Sequence, residues 1–184
     1  MKLFALYFRV ALSDKPEWFD DFRKKYDDPY DLHVTVIQPR YIDQSRIDTL
    51  KQTVSTFLNT HRLAEKEKVL EFSELAYGPE EDGAYVFMLH APLSDGLLRF
   101  QKELKEAVGG FGEYVEKITE EYEVDFKPHI TIGHIPEADL KEVKLYFSAP
   151  YAVSGTLTEL VLPVVKDTSI AEVTDPKNLT VFVL

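Results

Sequence analysis

The sequence contains no cysteine in its 184 residues. Disulfide bonds, thiolate nucleophiles and cysteine-ligated zinc are therefore excluded, and the composition suits a reducing compartment. No apolar run reaches the roughly 20 residues that a membrane-spanning helix needs. The apolar stretch from Met1 to Val10 is short, contains Arg9 and lacks a cleavage-like end, which predicts a first strand and not a signal peptide. We therefore expect a cytoplasmic protein with no membrane partner.

Positive charge is also scarce, because 21 Lys and Arg residues stand against 32 Asp and Glu residues, for a net charge of −11. This balance argues against an extended nucleic-acid footprint, since contacts to many phosphates require Lys and Arg. A small nucleotide or an RNA end held in a locally positive pocket is still compatible with it. Nothing in the sequence predicts a protein partner.

The remaining composition is that of a globular protein. Hydrophobic residues make up 45% of the chain and aromatic residues 12%, which excludes disorder. A chain of this length is most simply one domain with a substantial core, so we expect a single domain over residues 1–184.

Two four-residue segments match each other in pattern: His33-Val34-Thr35-Val36 and His129-Ile130-Thr131-Ile132. Each has histidine, a β-branched apolar residue, threonine and a second β-branched apolar residue. Side chains alternate between the two faces of a strand, so the imidazole and the hydroxyl share one face while the apolar pair can enter a core. A single segment of this kind is usually an ordinary strand, but a duplicate in the same chain is much less expected by chance.

The paired segments resemble the H-x-[ST]-x motifs of the two-histidine (2H) phosphoesterase superfamily, which includes RNA 2′,3′-cyclic phosphodiesterases and 2′-5′ RNA ligase-like proteins. The second motif begins about half a chain length after the first, as in that family. The resemblance implies an α+β fold of two pseudo-symmetric lobes, mostly antiparallel sheet with outer helices, and a central cleft between the motif strands.

The resemblance also implies a function. His33 and His129 would be the catalytic acid and base, Thr35 and Thr131 would bind the phosphate, and no metal or other cofactor would be needed. A free imidazole titrates near 6.5, so one histidine can begin neutral and the other protonated. The substrate would be a 2′,3′-cyclic phosphate or 2′-linked phosphodiester of a nucleotide or RNA end. The sequence does not show which of the two histidines is the catalytic base.

Apolar periodicity predicts the same order in each half: strand, helix, motif strand, helix, strand. The predicted strands cover about 3–10, 32–37, 69–75, 84–90, 129–135, 151–165 and 179–184, and the predicted helices about 14–26, 44–60, 93–108 and 137–147. Gln38-Pro39-Arg40 is expected to end the first motif strand, and Tyr77 to Gly83 to link the halves. Residues 109–125 are undecided between strand and helix, and Glu172 to Pro176 is expected to be a turn or short strand.

Two alternatives stay open. One is a non-catalytic module on the same fold that binds a nucleotide or RNA end, because a fold does not specify a function. The other is a metallohydrolase that uses three of the five histidines, although the sequence has no H-E-x-x-H segment. Odd spacing is expected to place His134 on the strand face opposite His129, which disfavours the second alternative.

The source of positive charge for the pocket is also open. At the fifth position after each motif histidine, where many relatives have a basic residue, this chain has Gln38 and His134. The candidates for the missing charge are Arg9, Arg40 and Lys127. His61, His90 and His134 lie outside the motifs and are expected to be dispensable. The aromatic residues Tyr7, Tyr30, Tyr41 and Phe126 flank the motif strands and could stack on a base.

Overall fold

A computed structural model describes residues 1–26, 31–80, 83–148 and 151–184. The strands are β1 (Lys2–Asp14), β2 (His33–Ile42), β3 (Val69–Phe72), β4 (Glu74–Pro79), β5 (Ala84–His90), β6 (His129–Pro136), β7 (Val153–Val165) and β8 (Leu179–Val183). The helices are α1 (Phe19–Tyr26), α2 (Ile47–Thr60), α3 (Glu65–Lys68), α4 (Asp95–Val108), α5 (Lys117–Val124), α6 (Leu140–Tyr146) and α7 (Ile170–Val173). Within these residues, no helix is both long and apolar enough to cross a membrane.

The strands form two sheets, and the strand pairs within them are antiparallel. The first sheet has the order β2-β1-β7-β3, and β8 pairs with a different part of β7. The second sheet has the order β4-β5-β6. The predicted α+β class with mostly antiparallel sheets is therefore confirmed.

The two sheets do not correspond to the two halves of the sequence. The chain passes from the first sheet to the second at Ser73, where the single strand predicted over residues 69–75 divides into β3 and β4. The predicted link from Tyr77 to Gly83 is wrong, because Tyr77, Gly78 and Pro79 belong to β4 and pair with β5. β7 and β8 then return to the first sheet. Hydrophobic periodicity identifies strands but does not select their partners.

The helices also cross between the sheets. α1, the first helix of the chain, packs on β6 of the second sheet through the buried side chains of Phe19, Phe22 and Tyr26. α2 and α4 pack on each other, and α4 contacts β2 of the first sheet. α1 begins later than predicted because β1 continues to Asp14 before the chain turns. A helix from each half of the sequence therefore packs on a motif strand from the other half.

β2 continues to Ile42 and does not end at Pro39 as predicted. Strands accept proline at an edge or a bulge, and Pro39 lies on an edge strand beside an irregular register. Beyond it, the Tyr41 N–H donates to the Glu113 carbonyl (2.8 Å), and the Val115 N–H donates to the Pro39 carbonyl (3.1 Å). Gly112 is required beside this contact, since a Cβ atom there would lie 1.6 Å from the Tyr41 carbonyl oxygen.

The structure decides the two segments for which the sequence left alternatives, residues 109–125 and 172–176. Residues 109–125 contain a 3-10 turn at Gly109–Phe111, the short stretch that pairs with β2, and then α5. Residues 172–176 form a turn and not a strand, because the short α7 ends at Val173 and a 3-10 turn begins at Pro176. α5 contacts β2, and α7 contacts β7.

Candidate active site

The two motif strands lie at adjoining edges of the two sheets. β2 ends the order of the first sheet and β6 ends that of the second, and the two strands contact each other. Val34, Val36, Ile130 and Ile132 are buried in the core, whereas the motif histidines and threonines are half-buried. The predicted division of each motif between a core face and a second face is confirmed. We refer to the second face of both strands as the motif face.

Both motif histidines make the same hydrogen bond. The His33 Nδ1 atom lies 2.8 Å from the Asp31 carbonyl oxygen, and the His129 Nδ1 atom lies 2.9 Å from the Lys127 carbonyl oxygen. A carbonyl oxygen only accepts, so Nδ1 carries the hydrogen and donates in both residues. In each neutral ring this bond leaves Nε2 unprotonated. Nε2 is therefore the nitrogen through which each histidine can exchange a proton with a substrate.

The residues beside the two histidines repeat the same arrangement. On the first sheet, His33 lies opposite Arg9, which lies opposite Glu159. On the second sheet, His129 lies opposite His90, which lies opposite Glu74. In each row a motif histidine is followed by a cationic or ionisable side chain and then by a carboxylate. This repetition supports the predicted pseudo-symmetry of the two lobes.

Each motif strand contains a β-bulge at the last residue of its motif. Tyr7 pairs with Thr35 but Leu6 pairs with Ile37, so Val36 is the extra residue on β2. Met88 pairs with Thr131 but Phe87 pairs with Gly133, so Ile132 is the extra residue on β6. The residues at each bulge are buried in pairs, Val36 with Ile37 and Ile132 with Gly133. An extra residue shifts the alternation of side chains by one position.

The bulges bring the fifth residue after each motif histidine back to the motif face. His134 pairs with Val86, which is two residues from Met88 and therefore on the same face as Thr131. The expectation that His134 faces away from His129 is wrong for this reason. Its Nδ1 atom lies 2.7 Å from the Glu80 Oε2 atom. Gln38 occupies the corresponding position on β2 and borders the same cavity as His33 and Thr35.

His90 is a site residue that the sequence reasoning did not identify. Its ring centroid lies 5.2 Å from that of His129, at an interplanar angle of 38°. Burial lowers the pKa of His129 below its ordinary value of 6.5, and the charges of His90 and His33 lower it further, against the hydrogen bond to Lys127. Burial also lowers the pKa of His90, while Glu74 opposes this effect. These surroundings favour a neutral imidazole at His129.

The three candidate sources of positive charge are all engaged in ion pairs. Arg9 binds Glu159 at 2.8 Å and lies 3.5 Å from Asp31. Lys127 is exposed and lies 2.9 Å from Asp125. Arg40 is 2% exposed, because a second irregularity after Ile37 turns its side chain to the core side, opposite Phe4. Arg40 therefore does not supply charge to the motif face.

A cavity of about 710 Å³ extends from the first motif along the motif face of the first sheet. His33, Thr35 and Gln38 border one end, residues of β1 form the middle, and residues of β7, β8 and the segment between these two strands form the other end. The Tyr7 ring lies between, with its centroid 4.8 Å from that of His33. His129 and Thr131 are not among the residues that line this cavity. The cavity is thus an extension of the site on the side of His33.

Tyr41, Phe126 and His61, which were also named from the sequence, do not line this cavity. Phe126 is buried in the core, Tyr41 is at the exposed end of β2, and Tyr30 is outside the described residues. His61 stacks on Phe57 at the end of α2. In the parts of the chain that the structure describes, no three His, Asp or Glu side chains are grouped so that they could hold a metal ion.

Comparison with known proteins identifies the family. Residues 12–167 match the sequence model of the 2′-5′ RNA ligase superfamily. This match covers most of the chain, so the protein belongs to this superfamily of 2H phosphoesterases, and the resemblance predicted from the paired motifs is confirmed. At family level the chain is therefore one of the phosphodiesterases. No curated protein sequence matches the chain.

The fold is similar to solved structures over almost the whole chain. The structure of Kluyveromyces marxianus Usb1 is 9% identical, with a TM-score of 0.52 over 99% of this chain and 98% of that one. Kluyveromyces marxianus Usb1 with uridine monophosphate is 10% identical, with a TM-score of 0.51 over the same shares. Escherichia coli LigT complexed with 3′-AMP is 14% identical, with a TM-score of 0.47 over 100% of this chain and 95% of that one.

Proposed function

We propose that the protein is a metal-independent phosphodiesterase that opens a 2′,3′-cyclic phosphate, or cleaves a 2′-linked phosphodiester, on a nucleotide or RNA end. The observation that carries the proposal is the matched hydrogen bonding of His33 and His129 on two contacting strands. Membership of the 2H phosphoesterases supports the reaction class. The uridine monophosphate bound to Usb1 supports a nucleotide substrate.

The proposed reaction needs one base and one acid. We assign the base to His129, because its surroundings favour the neutral ring. Its Nε2 atom would take a proton from water while the water oxygen forms a bond to phosphorus. His33 would donate its Nε2 proton to the ribose oxygen as the bond between that oxygen and phosphorus breaks. The product is a phosphate monoester, and the two rings together supply the proton transfers without a metal.

The threonines are proposed to bind the non-bridging phosphate oxygens. Thr35 and Thr131 each lie two residues after a motif histidine on the same face, at a strand spacing of roughly 6.5–7 Å. A hydroxyl donates one hydrogen bond, so the pair can hold two oxygens of one phosphate. Arg9 and Lys127 are already paired with Glu159 and Asp125. In the proposal the phosphate is therefore bound mainly by the two threonine hydroxyls and the protonated His33.

Two alternatives are separated from this proposal by particular observations. A binding module needs hydroxyls and amides but does not need two imidazoles with the same tautomer fixed. A metallohydrolase would need a third ligand near His129. His90 lies beside it, but its carboxylate neighbour Glu74 is one strand further away, on β4.

The proposal predicts turnover that persists in excess chelator. The test is a panel of 2′,3′-cyclic nucleotides, RNA with a cyclic end, 2′-5′ oligoadenylate and ADP-ribose cyclic phosphate, each assayed with and without EDTA. We expect at least one cyclic phosphate to be opened at the same rate in both conditions. Loss of activity in EDTA with recovery on adding zinc or manganese would favour the metallohydrolase, and binding without turnover would favour the binding module.

The assignment of His129 as base predicts the pH dependence of kcat/KM. A base acts only when it is deprotonated, so a lowered pKa keeps the enzyme active toward acid pH. We expect a bell-shaped profile whose acid limb has its midpoint below pH 6.5. In His90→Phe, which keeps a ring but removes the charge, this midpoint should rise, by about one pH unit or less.

The matched control is His61→Phe, because His61 lies at the end of α2 and not beside His129. It should leave both limbs in place. The groups that act on His129 are His90 on β5, His33 on β2 and the Lys127 carbonyl, with Glu74 on β4 acting on His90. If His90→Phe moves the alkaline limb instead, His129 is the acid. If neither limb moves, His90 does not act on the reacting histidines.

A further inference from the structure

β8 lies at an open edge of the first sheet. It pairs with β7 along its whole length, from Leu179 opposite Pro163 to Val183 opposite Glu159. In the part of the chain that the structure describes, no other strand pairs with β8. Among the same residues, no backbone hydrogen bond other than those to β7 involves residues 180–183. One row of N–H and C=O groups on β8 is therefore available to a further strand.

The other sheet edges are protected. On β2, residues 113–115 pair with the end of the strand, and the Glu123 carboxylate accepts from the Gln38 N–H. β6 contacts β2 and α1. β3 has the exposed Glu71, and β4 has the exposed Glu74. Covering segments and charged side chains are the usual means by which a sheet avoids pairing with another chain. β8 has no charged residue and no proline, so its edge lacks this protection.

The motif face of β8 is apolar and exposed. Val181 ends a row across the first sheet, in which Thr35 pairs with Tyr7, Tyr7 with Val161, and Val161 with Val181. The side chain of Val181 therefore lies on the motif face, and that of Val183, two residues later, lies on the same face. Val181 is 43% exposed and Val183 is 83% exposed. A strand added at this edge would cover both side chains.

We propose that β8 pairs with β8 of a second copy of this chain, antiparallel and centred on Val181, so that the two first sheets join into one. In this register Val181 of one copy faces Val181 of the other, and Val183 faces Leu179. On the opposite face Thr180 faces Phe182. These pairs are uncharged, and those on the motif face are apolar, so the strand is complementary to itself. The two-fold arrangement uses up the open edge, so the assembly closes as a dimer.

The contact is small, so the dimer is expected to be weak. Five paired residues extend roughly 17 Å, and they cover less than the roughly 800 Å² that each partner of a stable interface buries. Each copy has a net charge of −11, so the two copies also repel each other. We expect a dissociation constant on the order of 10–100 µM in about 0.15 M salt. Association should strengthen at about 0.5 M salt, because salt screens the repulsion between the copies.

Sedimentation equilibrium tests the proposal over a range of about 5–500 µM protein, chosen to span the expected dissociation constant. The wild type should pass from 21.2 kDa toward twice this mass. Val181→Lys places two like charges opposite each other and should raise the dissociation constant by at least about tenfold. Val69→Lys is the matched control, because Val69 is a valine, 57% exposed, on the different edge strand β3. It should associate like the wild type.

Introduced cysteines test the register, since the chain has no cysteine of its own. Residues opposite each other on antiparallel strands have Cα atoms about 4.5–5.5 Å apart, within the range for a disulfide. Under mild oxidation Val181→Cys should therefore form a covalent dimer. Val183→Cys is the control, because Val183 is more exposed but faces Leu179, and it should crosslink at least about tenfold more slowly.

Several results would overturn the proposal. A wild type that stays at 21.2 kDa throughout would show that a second copy is not the occupant and would leave the edge to an extended segment of another protein. Equal losses of association in Val181→Lys and Val69→Lys, equal crosslinking of the two cysteine variants, or weaker association at high salt would each contradict pairing through β8. Melting temperatures show whether each variant is folded. The cysteine variants add no charge and keep the test decisive if Val181→Lys is unfolded. None of these measurements depends on the proposed function.

Discussion

His33→Ala and His129→Ala should each lower kcat on the proposed cyclic phosphate by about 10²- to 10⁴-fold, the range for a positioned general acid or base. Each substitution removes a ring whose Nδ1 atom is held by a backbone carbonyl, and with it the Nε2 atom proposed to exchange a proton. Both side chains are half-buried on the motif face, so their loss should not unfold the protein. The measurement is single-turnover kinetics at the pH optimum.

The double variant tests whether the two histidines act in one step. Groups that act together are strongly non-additive, so His33→Ala/His129→Ala should fall little below the worse single variant. His61→Ala is the control and should stay within a few-fold of the wild type. His90 and His134, which the sequence suggested as further controls, lie on the motif face and do not serve this purpose. Near-normal turnover by a folded single variant would refute the paired mechanism.

Glu123→Ala should lower the free energy of unfolding by about 3–5 kcal/mol, because it leaves the buried Arg40 guanidinium without its carboxylate partner. The Glu123 side chain is 0% exposed and that of Arg40 is 3% exposed. The Glu123 carboxylate accepts from Arg40, from the Tyr114 hydroxyl at 2.7 Å and from the Gln38 N–H at 2.8 Å. Burial, followed by the bond to Glu123, raises the pKa of Tyr114 to about 12, so its hydroxyl stays a donor.

The buried cluster of Arg40, Tyr114 and Glu123 also holds the strand that carries the first motif. Glu123 lies on α5 and binds the backbone of β2 just after the first motif, where Gln38 borders the cavity. Chemical denaturation measures the loss of stability, which corresponds to a fall in melting temperature on the order of 10 °C. Glu121→Ala, an exposed glutamate on the same helix, is the control and should change stability by less than about 0.5 kcal/mol. If the two substitutions lower the free energy of unfolding equally, the buried ion pair does not stabilise the fold more than an exposed glutamate does.

The sequence by itself was sufficient for the local features of the site. The repeated order of histidine, apolar residue, threonine and apolar residue determined which side chains enter the core, because alternation along a strand depends only on the neighbouring residues. The same pattern identified the family, and the family model confirms it. The helices over residues 47–60 and 95–108 followed from apolar spacing in the same way.

Only the tertiary structure showed where alternation breaks. The bulges at Val36 and Ile132 depend on how β1 and β5 pair with the motif strands, and they place Gln38 and His134 on the motif face. Gly133, which follows the bulge residue Ile132, is a glycine for a reason that lies in the packing: a Cβ atom there would lie 2.8 Å from the Cβ atom of Tyr26 on α1. The requirement for glycine at this position can be explained only when α1 is known to pack on β6.

Tertiary structure also decided which distant residues meet. Arg40 with Glu123, His90 with His129, and Val181 with the row that begins at Thr35 are pairings between segments far apart in the chain. Periodicity shows that a segment has an apolar face, but many partners can bury such a face equally well. The choice of partner depends on the packing of the whole core, so strand order, the burial of Arg40 and the cavity beside His33 were decided by the folded chain.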